Sequence, residues 1–309
     1  MLSSSEETVG MKIRLSIIIP TKDRAPALAQ LLASLNRLNG LIELRPEIIV
    51  ADNDSHDETT AIVQGAAREL QTEVKMIKTI RPGKSAALND ALKIATGDYL
   101  AFLDDDVVVD GGWLQALEKY IRESGYQAGQ GTIGLQGSGA DDPKVRCLIE
   151  KFRTIPQISF PAQMNEVRLL NGANFFIARK ILEQVGRFNE RLGPGASGTS
   201  EDVELAQRLA RAGVRIGYAR DSLVYHRIDH DRLTEAYFRD HHRRQGQSRL
   251  LMKSRGYLEI ILNIGRAYLQ YYYYTLAGNE RSSYRNKGRI FHYLAMFEAK
   301  RRGPVTDRN

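Results

Sequence analysis

Tyr99-Leu100-Ala101-Phe102-Leu103-Asp104-Asp105-Asp106-Val107-Val108-Val109 runs from an apolar stretch into three consecutive carboxylates and out through three valines. The first five residues read as a buried strand. The acids at its end repel one another unless a proton or a cation sits among them. Carboxylate oxygens are hard ligands suited to Mg2+ or Mn2+, and Mg2+ is usually held by one or two carboxylates plus substrate phosphates rather than by a full protein cage. The pattern points to a metal-bound diphosphate. The plain alternative is a surface turn after a strand, where Asp is common.

Upstream the same punctuation recurs. Leu15-Ser16-Ile17-Ile18-Ile19-Pro20 is short, β-branched and apolar, the pattern of a central parallel strand. Thr21-Lys22-Asp23-Arg24 follows, then Leu28, Leu31, Leu32, Leu35 and Leu38 at helical spacing, with Pro26 suited to the first turn. Glu47-Ile48-Ile49-Val50-Ala51 predicts a second strand that stops at Asp52-Asn53-Asp54-Ser55-His56-Asp57, where Asp57 or Ser55 is placed to cap a helix reaching residue 70. Residues 74 to 77 predict a third strand, followed by Arg81-Pro82-Gly83-Lys84-Ser85 and a helix over residues 86 to 95. Strand and helix alternating in this way imply βαβ crossovers and a parallel sheet, with ligands gathered at the carboxyl ends of the strands. Thr21, Asp23, Asp52, Asp54, Lys84, Asp104 and Asp106 all fall on that rim.

Two phosphate-binding signatures are absent. Gly83-Lys84-Ser85 lacks the first glycine of a P-loop, since Lys78 stands in its place. The first strand is followed by Thr21-Lys22-Asp23-Arg24 rather than by a glycine cluster, which excludes a dinucleotide fingerprint. Nucleotide binding would rest on side chains and metal.

Downstream, residues 111 to 123 predict a helix, and the glycine-rich stretch from Gly125 to Gly139 allows a short strand near Thr132-Ile133-Gly134-Leu135. Residues 169 to 177 read as strand, turn, strand. Gly193-Pro194-Gly195-Ala196-Ser197-Gly198-Thr199-Ser200 has the composition of a lid, and it leads into Glu201-Asp202 and a helix through Leu205, Leu209 and Ala212. Alternatively, Ser200 simply caps that helix and the two acids favour its N-terminus. Residues 214 to 218 and 222 to 226 are two further strands, the second ending in His226.

The chain has 309 residues, enough for a large α/β domain with an appendage, and a formal charge of +7. Residues 232 to 309 hold 16 Lys/Arg against 6 Asp/Glu, whereas residues 1 to 231 hold 28 against 31. The basic segment is helical in pattern and suits an anionic membrane surface or a solvated helical face. Within it, residues 257 to 276 are apolar and tyrosine-rich but interrupted by Glu259, Asn263, Arg266 and Gln270, a poor spanning helix and a better interfacial one. The alternative is a helical pair packed on the main domain with tyrosines in the seam. The single Cys147 excludes an intramolecular disulfide and fits a reducing, cytoplasmic setting. The first residues lack the pattern of a secretory signal and read as a flexible tail over 1 to 12.

Taken in order, Ser16-Ile17-Ile18-Ile19-Pro20-Thr21-Lys22-Asp23-Arg24, Asp52-Asn53-Asp54-Ser55, Gly83 with Ala87 and Asn89, Leu103-Asp104-Asp105-Asp106 and Ser200-Glu201-Asp202 resemble family 2 glycosyltransferases. The resemblance covers about residues 13 to 230. It implies the GT-A fold, a Rossmann-like, mostly parallel mixed sheet flanked by helices, here with a C-terminal helical extension from residue 232. The nucleotide-binding half would span about 13 to 110 and the acceptor half about 111 to 231. It implies an inverting hexosyl or related transferase of surface polysaccharide or glycoconjugate assembly that uses Mn2+ or Mg2+. Carried over residue by residue, Asp106, Asp104 and His226 would hold the metal. Pro20, Thr21, Asp23, Arg24, Asp52, Asp54, Lys84, Asp104, Asp105 and Glu201 would bind the nucleotide-sugar, and Asp202 would be the catalytic base. Many relatives carry Arg where Leu88 stands, so that contact is missing here or supplied by Arg81 or Lys84.

The implied partners are a nucleotide-sugar, most commonly a UDP-sugar, and a carbohydrate or lipid-linked acceptor. An anionic membrane on the cytoplasmic face is implied for residues 232 to 309; no nucleic acid is expected, and a homo-oligomer is left open. The rivals are a sugar-phosphate nucleotidylyltransferase, which usually opens with a glycine-rich loop, and a non-catalytic basic module for membrane or nucleic acid, which leaves the rim carboxylates unexplained.

Overall fold

The computed structural model describes residues 13 to 302; the expected flexible tail over residues 1 to 12 lies outside them. β1 (Leu15–Thr21) leads to α1 (Ala25–Leu35) and the one-turn α2 (Leu41–Leu44), β2 (Glu47–Asp52) to α3 (Thr59–Glu69), and β3 (Val74–Lys78) to α4 (Lys84–Ile94). β4 (Tyr99–Phe102) then passes through the three aspartates into β5 (Val107–Val109). The second half runs α5 (Trp113–Ser124), β6 (Ala128–Gln136), α6 (Pro143–Phe152), β7 (Glu166–Val167), β8 (Phe175–Ala178), α7 (Arg179–Val185), α8 (Glu201–Arg211) and β9 (Ile216–Arg227). A 3₁₀ turn, His230–Leu233, feeds α9 (Glu235–Met252), α10 (Tyr257–Leu276) and α11 (Glu280–Arg302).

The strands form one mixed sheet in the order β3-β2-β1-β4-β8-β6-β9-β5, with β7 alongside β9. β3, β2, β1 and β4 are parallel, as the βαβ alternation requires. Every residue of β1 and β2 is buried, which their central apolar runs, residues 17 to 19 and 48 to 51, anticipate for strands covered on both faces. β8 enters antiparallel between β4 and β6, and β9 pairs parallel with β6 and antiparallel with β5. The result is a GT-A type α/β architecture with a C-terminal helical region.

The structure corrects the sequence reading where glycine or asparagine side chains decide the packing. The glycine-rich stretch after residue 125 contains a nine-residue strand rather than a short one. Its glycines are needed for space: a Cβ at Gly129 would fall on the Phe176 ring, and one at Gly131 on the Asn174 amide. Residues 169 to 177 hold only one strand, because Asn171 to Asn174 form a turn in which Asn174 is a buried hub. Its amide donates to Thr132 O (2.9 Å) and Ser222 O (2.8 Å), and Trp113 Nε1 donates to its Oδ1 (3.0 Å). The two strands expected over residues 214 to 226 are a single strand, β9, whose pairing with β6 shifts register between Gly131 and Thr132. Ser200 does not cap α8; it sits at φ +79° with no capping bond. Asp57 serves two helices instead of one, accepting from Thr59 N (3.1 Å) and from Ala25 N (2.8 Å).

A second apolar cluster, Ile149, Phe152, Ile155, Leu233 and Phe238, fastens the C-terminal helices to α6. α9 and α11 cross closely through Gly246 and Gly288, whose missing side chains make room for His292 and His242. Among the described residues no helix is long and apolar enough to cross a membrane.

Gly129→Ala is expected to destabilise the protein by about 1–3 kcal/mol through overpacking against Phe176. Gly65→Ala, in α3 with nothing within 4 Å of the added carbon, should stabilise it by about 0.5–1 kcal/mol. Urea unfolding midpoints of the two variants check the contrast.

Candidate active site

The parallel register that sets β1 beside β4 brings Thr21, the last residue of β1, and Arg24, just past it, against the acids that follow β4. The three consecutive aspartates then turn to different sets of partners, with Arg24 shared by two of them. Asp104 accepts from Lys84 Nζ (2.5 Å). Asp105 accepts from Thr21 Oγ1 (2.8 Å) and Arg24 Nη1 (3.1 Å). Asp106 accepts from Arg24 Nη1 (3.0 Å) and Arg232 Nη2 (2.9 Å). The antiparallel pairing of Val107 with His226 sets the imidazole beside Asp106, Nε2 to Oδ1 at 3.3 Å.

Arg227 O can only accept, so His226 Nδ1, 2.9 Å away, donates to it. That leaves Nε2 facing the Asp106 carboxylate. Two electron-pair donors facing each other at this distance repel unless positive charge shares the gap. Burial alone would push Asp106 up, but His226, Arg232 and Arg24 more than offset it and hold the carboxyl below its usual range. Burial, opposed by Arg24 and reinforced by Asp106, pushes Asp105 up to about 6.

Across the same cleft, α8 begins with Glu201 and Asp202. Asp202 Oδ2 accepts from Gly172 N (3.0 Å) and Oδ1 from Val203 N (2.7 Å). Burial first, and then the charge of Glu201, push its carboxyl up to about 7 against the pull of Lys84. Lys84 Nζ also reaches Glu201 Oε1 (3.0 Å), so one ammonium joins the acids after β4 to the start of α8. Burial would lower this lysine, but Asp104 and Glu201 together raise it well above its ordinary value and keep it charged. Gly172 lies against this pair, where a Cβ would stand 2.6 Å from Lys84 Nζ.

The cleft has a volume of about 830 Å3 and takes in Pro20, Thr21, Arg24, Lys84, all three aspartates, Glu201, Asp202 and His226. Asp106 and Asp202 thus share one cavity. Asp23, Asp52 and Asp54 do not line it. Asp52 is buried and accepts from Ser55 N (3.0 Å), Asp54 pairs with Lys78 (3.0 Å), and Asp23 accepts from His56 N (2.7 Å). Asn53 takes their place on the wall, positioned by bonds to Thr79 O, Arg81 O and Gly83 N. Arg81 is drawn to Asp90 and Glu190 and stays off the cleft, leaving Lys84 as the cation near Leu88.

Asp104 does not join the expected metal triad, because Lys84 holds it. Among the described residues no three His, Cys, Asp or Glu side chains converge as a cation cage. The pair that does converge, Asp106 and His226, offers one hard oxygen donor and one imidazole. That set fits Mn2+ or Mg2+ where substrate phosphates complete the shell.

Arg232 on Asp106 was not anticipated, nor was the wall made by Arg153, Tyr237, His241, Arg244 and Gln245. Arg232 lies six residues past His226 in a basic segment and carries no signal that sets it apart from its neighbours. The glycine-rich loop over residues 193 to 200 is a hydrogen-bonded turn that covers one edge of the cleft. Pro194 O accepts from Lys84 N (2.9 Å), and Ser197 Oγ bonds Ser248 Oγ on α9 (2.8 Å).

Residues 16 to 186 match the model of Glycosyl transferase family 2. The chain belongs to that family. It is 30% identical over 246 residues to the succinoglycan biosynthesis protein ExoM of Rhizobium meliloti (strain 1021), covering 79% of this chain and 77% of that protein. It is 23% identical over 211 residues to glycosyltransferase AglE of Haloferax volcanii, covering 68% and 66%. Among solved structures, the mannosyltransferase PcManGT from Pyrobaculum calidifontis, in complex with GDP-Man and Mn2+, superposes with a TM-score of 0.56 at 17% identity, over 96% of this chain and 77% of that one. TarS 1-349 of S. aureus superposes at 0.54 and 20% identity, over 96% and 95%. These likenesses agree with the GT-A architecture. Membership of a glycosyltransferase family sets the nucleotidylyltransferase alternative aside.

The raised Asp202 has a thermodynamic signature. A carboxyl whose pKa rises from the ordinary 3.8 to about 7 on folding favours the protonated native state, so it lowers stability as pH rises between those values. Asp202→Asn should therefore melt higher than the parent above about pH 7, by on the order of 2 kcal/mol, and lose that advantage below about pH 4. Calorimetry across pH checks this; a difference independent of pH would contradict the buried, charge-crowded carboxyl.

Proposed function

We propose that this glycosyltransferase is inverting and metal-dependent, moving a sugar from a nucleoside-diphosphate donor to an acceptor hydroxyl in polysaccharide or glycoconjugate assembly. The observation that carries the reading is Asp202, a half-buried carboxyl raised to about 7 that shares a cleft with the Asp106–His226 pair. A divalent cation held by Asp106 and His226 would neutralise charge on the departing diphosphate. Thr21, Arg24, Asn53, Lys84 and Asp105 lie at the same end and would bind and orient the donor. Arg24 and Arg232 already bring positive charge to Asp106 and are placed to meet phosphate oxygens as well.

At the other end Asp202 takes the proton of the acceptor hydroxyl as the new bond forms. A base serves best when its pKa lies near working pH, which is where burial and Glu201 put this one. Gly172 N and Val203 N fix its orientation. Glu201, the neighbouring carboxylate, is tied to Lys84 and buried, so it is not free to attack the sugar. With Glu201 held and Asp202 acting as the base, no covalent intermediate is needed, which favours a single displacement with inversion. The PcManGT complex holds GDP-Man and Mn2+, and TarS has been solved with UDP, which supports a nucleotide-sugar donor here. The lone Cys147, exposed on α6, agrees with action in a reducing compartment.

With radiolabelled donor and Mn2+, the released product should be a nucleoside diphosphate, and the glycoside formed should have the opposite anomeric configuration by NMR. Asp202→Asn should lower kcat by about 10²–10⁴-fold while leaving donor KM within a few-fold. In the parent, kcat/KM should rise with pH through about 7 as Asp202 loses its proton. Asp106→Asn and His226→Ala should each weaken Mn2+-dependent nucleotide binding by calorimetry. Release of pyrophosphate, or retention of configuration, would overturn the reading.

A further inference from the structure

α10 packs on α11 through one side only. Ile260 and Ala267 are fully buried on that side. The opposite side carries Leu258, Leu262, Leu269 and Leu276, which are 63 to 89% exposed, together with exposed Ile261 and Tyr272. At 100° per residue these positions share one outward face along all 20 residues, about 30 Å of helix. A solvated helix normally turns charge outward; this one turns leucine and tyrosine outward. The sequence alternative, tyrosines buried in a seam, therefore fails for most of this helix.

The surrounding charge identifies the cover. Residues 253 to 302 hold ten Lys/Arg against three Asp/Glu. Each acid is already paired: Glu259 with Arg255, Glu280 with Lys151 (3.0 Å) and Glu298 with Arg243 (2.6 Å). No carboxylate of this stretch is left to repel an anionic surface. The antiparallel hairpin brings Lys300, Arg301 and Arg302 to the start of α10, where Tyr257 OH donates to Lys300 O (3.1 Å) and Lys300 Nζ lies 5.1 Å from the Tyr257 ring. Arg266 edges the middle of the face and Arg281 follows its far end. Apolar side chains bordered by cations, with tyrosines between, match an interfacial helix and the anionic headgroups above it. A second copy would have to bring one strongly basic surface onto another.

We propose that the outer face of α10 docks on an anionic bilayer surface, lying in its interface without crossing it. α11 separates α10 from α9, and α9 supplies Tyr237, His241, Arg244 and Gln245 to the cleft. Two helix layers put the cleft roughly 20 Å from the headgroups, since packed helices lie about 8–10 Å apart. A lipid-linked acceptor can reach it there, a step that rests on the transfer reading above.

Flotation of the full chain with vesicles tests the docking. Phosphatidylcholine vesicles containing phosphatidylglycerol should carry the protein upward, and phosphatidylcholine alone should carry at least about tenfold less, with the difference shrinking as salt rises. L262E/L269E should reduce flotation about tenfold or more, with unchanged melting temperature and unchanged turnover of a soluble acceptor. K300Q/R301Q/R302Q should weaken flotation and flatten its salt dependence. The proposal is overturned if the parent stays at the bottom at low salt or if L262E/L269E floats like the parent. It is also overturned if light scattering finds a dimer that L262E/L269E dissociates, which would make a second copy the occupant. Flotation needs no nucleotide-sugar, so a parent that transfers sugar but does not float refutes the docking alone.

Discussion

Five carboxylates share one cleft in this protein, and the bonds that let them do so organise everything around it. Asp104, Asp105, Asp106 and Glu201 are ion-paired with Arg24, Lys84 and Arg232, Asp202 is held by two backbone N–H groups, and Lys22, Arg153 and Arg244 add positive charge to the lining. Burial pushes Asp105 and Asp202 upward, reinforced by the neighbouring Asp106 and Glu201, whereas His226, Arg232 and Arg24 offset burial at Asp106 and hold it down. Lys84 matters most. Its ammonium ion-pairs with both Asp104 after β4 and Glu201 at the start of α8, joining the two sides of the cleft.

Most of the parallel half was legible in the sequence because burial on both faces leaves no choice of residue. Ile17 to Ile19 and Ile48 to Val50 are apolar throughout, and their strands end where polarity returns. Legibility falls once the sheet turns antiparallel. β6 is written in glycine, which carries no hydrophobic signal, because Phe176, Asn174 and Tyr225 fill the space its side chains would take. β9 looked like two strands because its bulge interrupts the alternation in the middle. At the site, residue types were readable but side-chain directions were not. The sequence points to Asp52 and Asp54 rather than Asn53, yet the turn that consumes Asp52 and the Lys78 pair that draws off Asp54 leave Asn53 on the wall. The acids at 104 to 106 read as one cluster, yet consecutive residues leaving a strand point in different directions, so Asp104 meets Lys84, Asp105 Thr21 and Asp106 Arg232, with Arg24 bridging the last two acids.

The C-terminal helices are part of the site as much as an appendage to it. Arg232 enters the Asp106 pair from the turn before α9, and α9 then forms one wall of the cleft. That helix can lie close to α11 because Gly246 and Gly288 face histidines, and the small cluster around Phe152 and Phe238 holds the group to α6. The basic character seen in the sequence therefore divides between two duties. Arg232 counters buried acid inside, while Lys300 to Arg302 lie beside the exposed face of α10 outside. Composition alone sums these charges and cannot separate them.

The same arrangement couples the two ends of the cleft. Lys84 is the cation that opposes the rise of Asp202, and it does so from a position where it also bonds Asp104 after β4. Its charge is shared, so whatever anion draws it toward Asp104 weakens its hold on the acids at the start of α8. By Coulomb's law the effect is steep at these short separations and in a half-buried setting. A diphosphate arriving beside Lys84 would thus leave Asp202 a stronger base than it is in the empty cleft. A single lysine between two acidic elements is a sufficient physical link for the proton affinity of Asp202 to respond to an anion beside Asp104, with no movement of the sheet required.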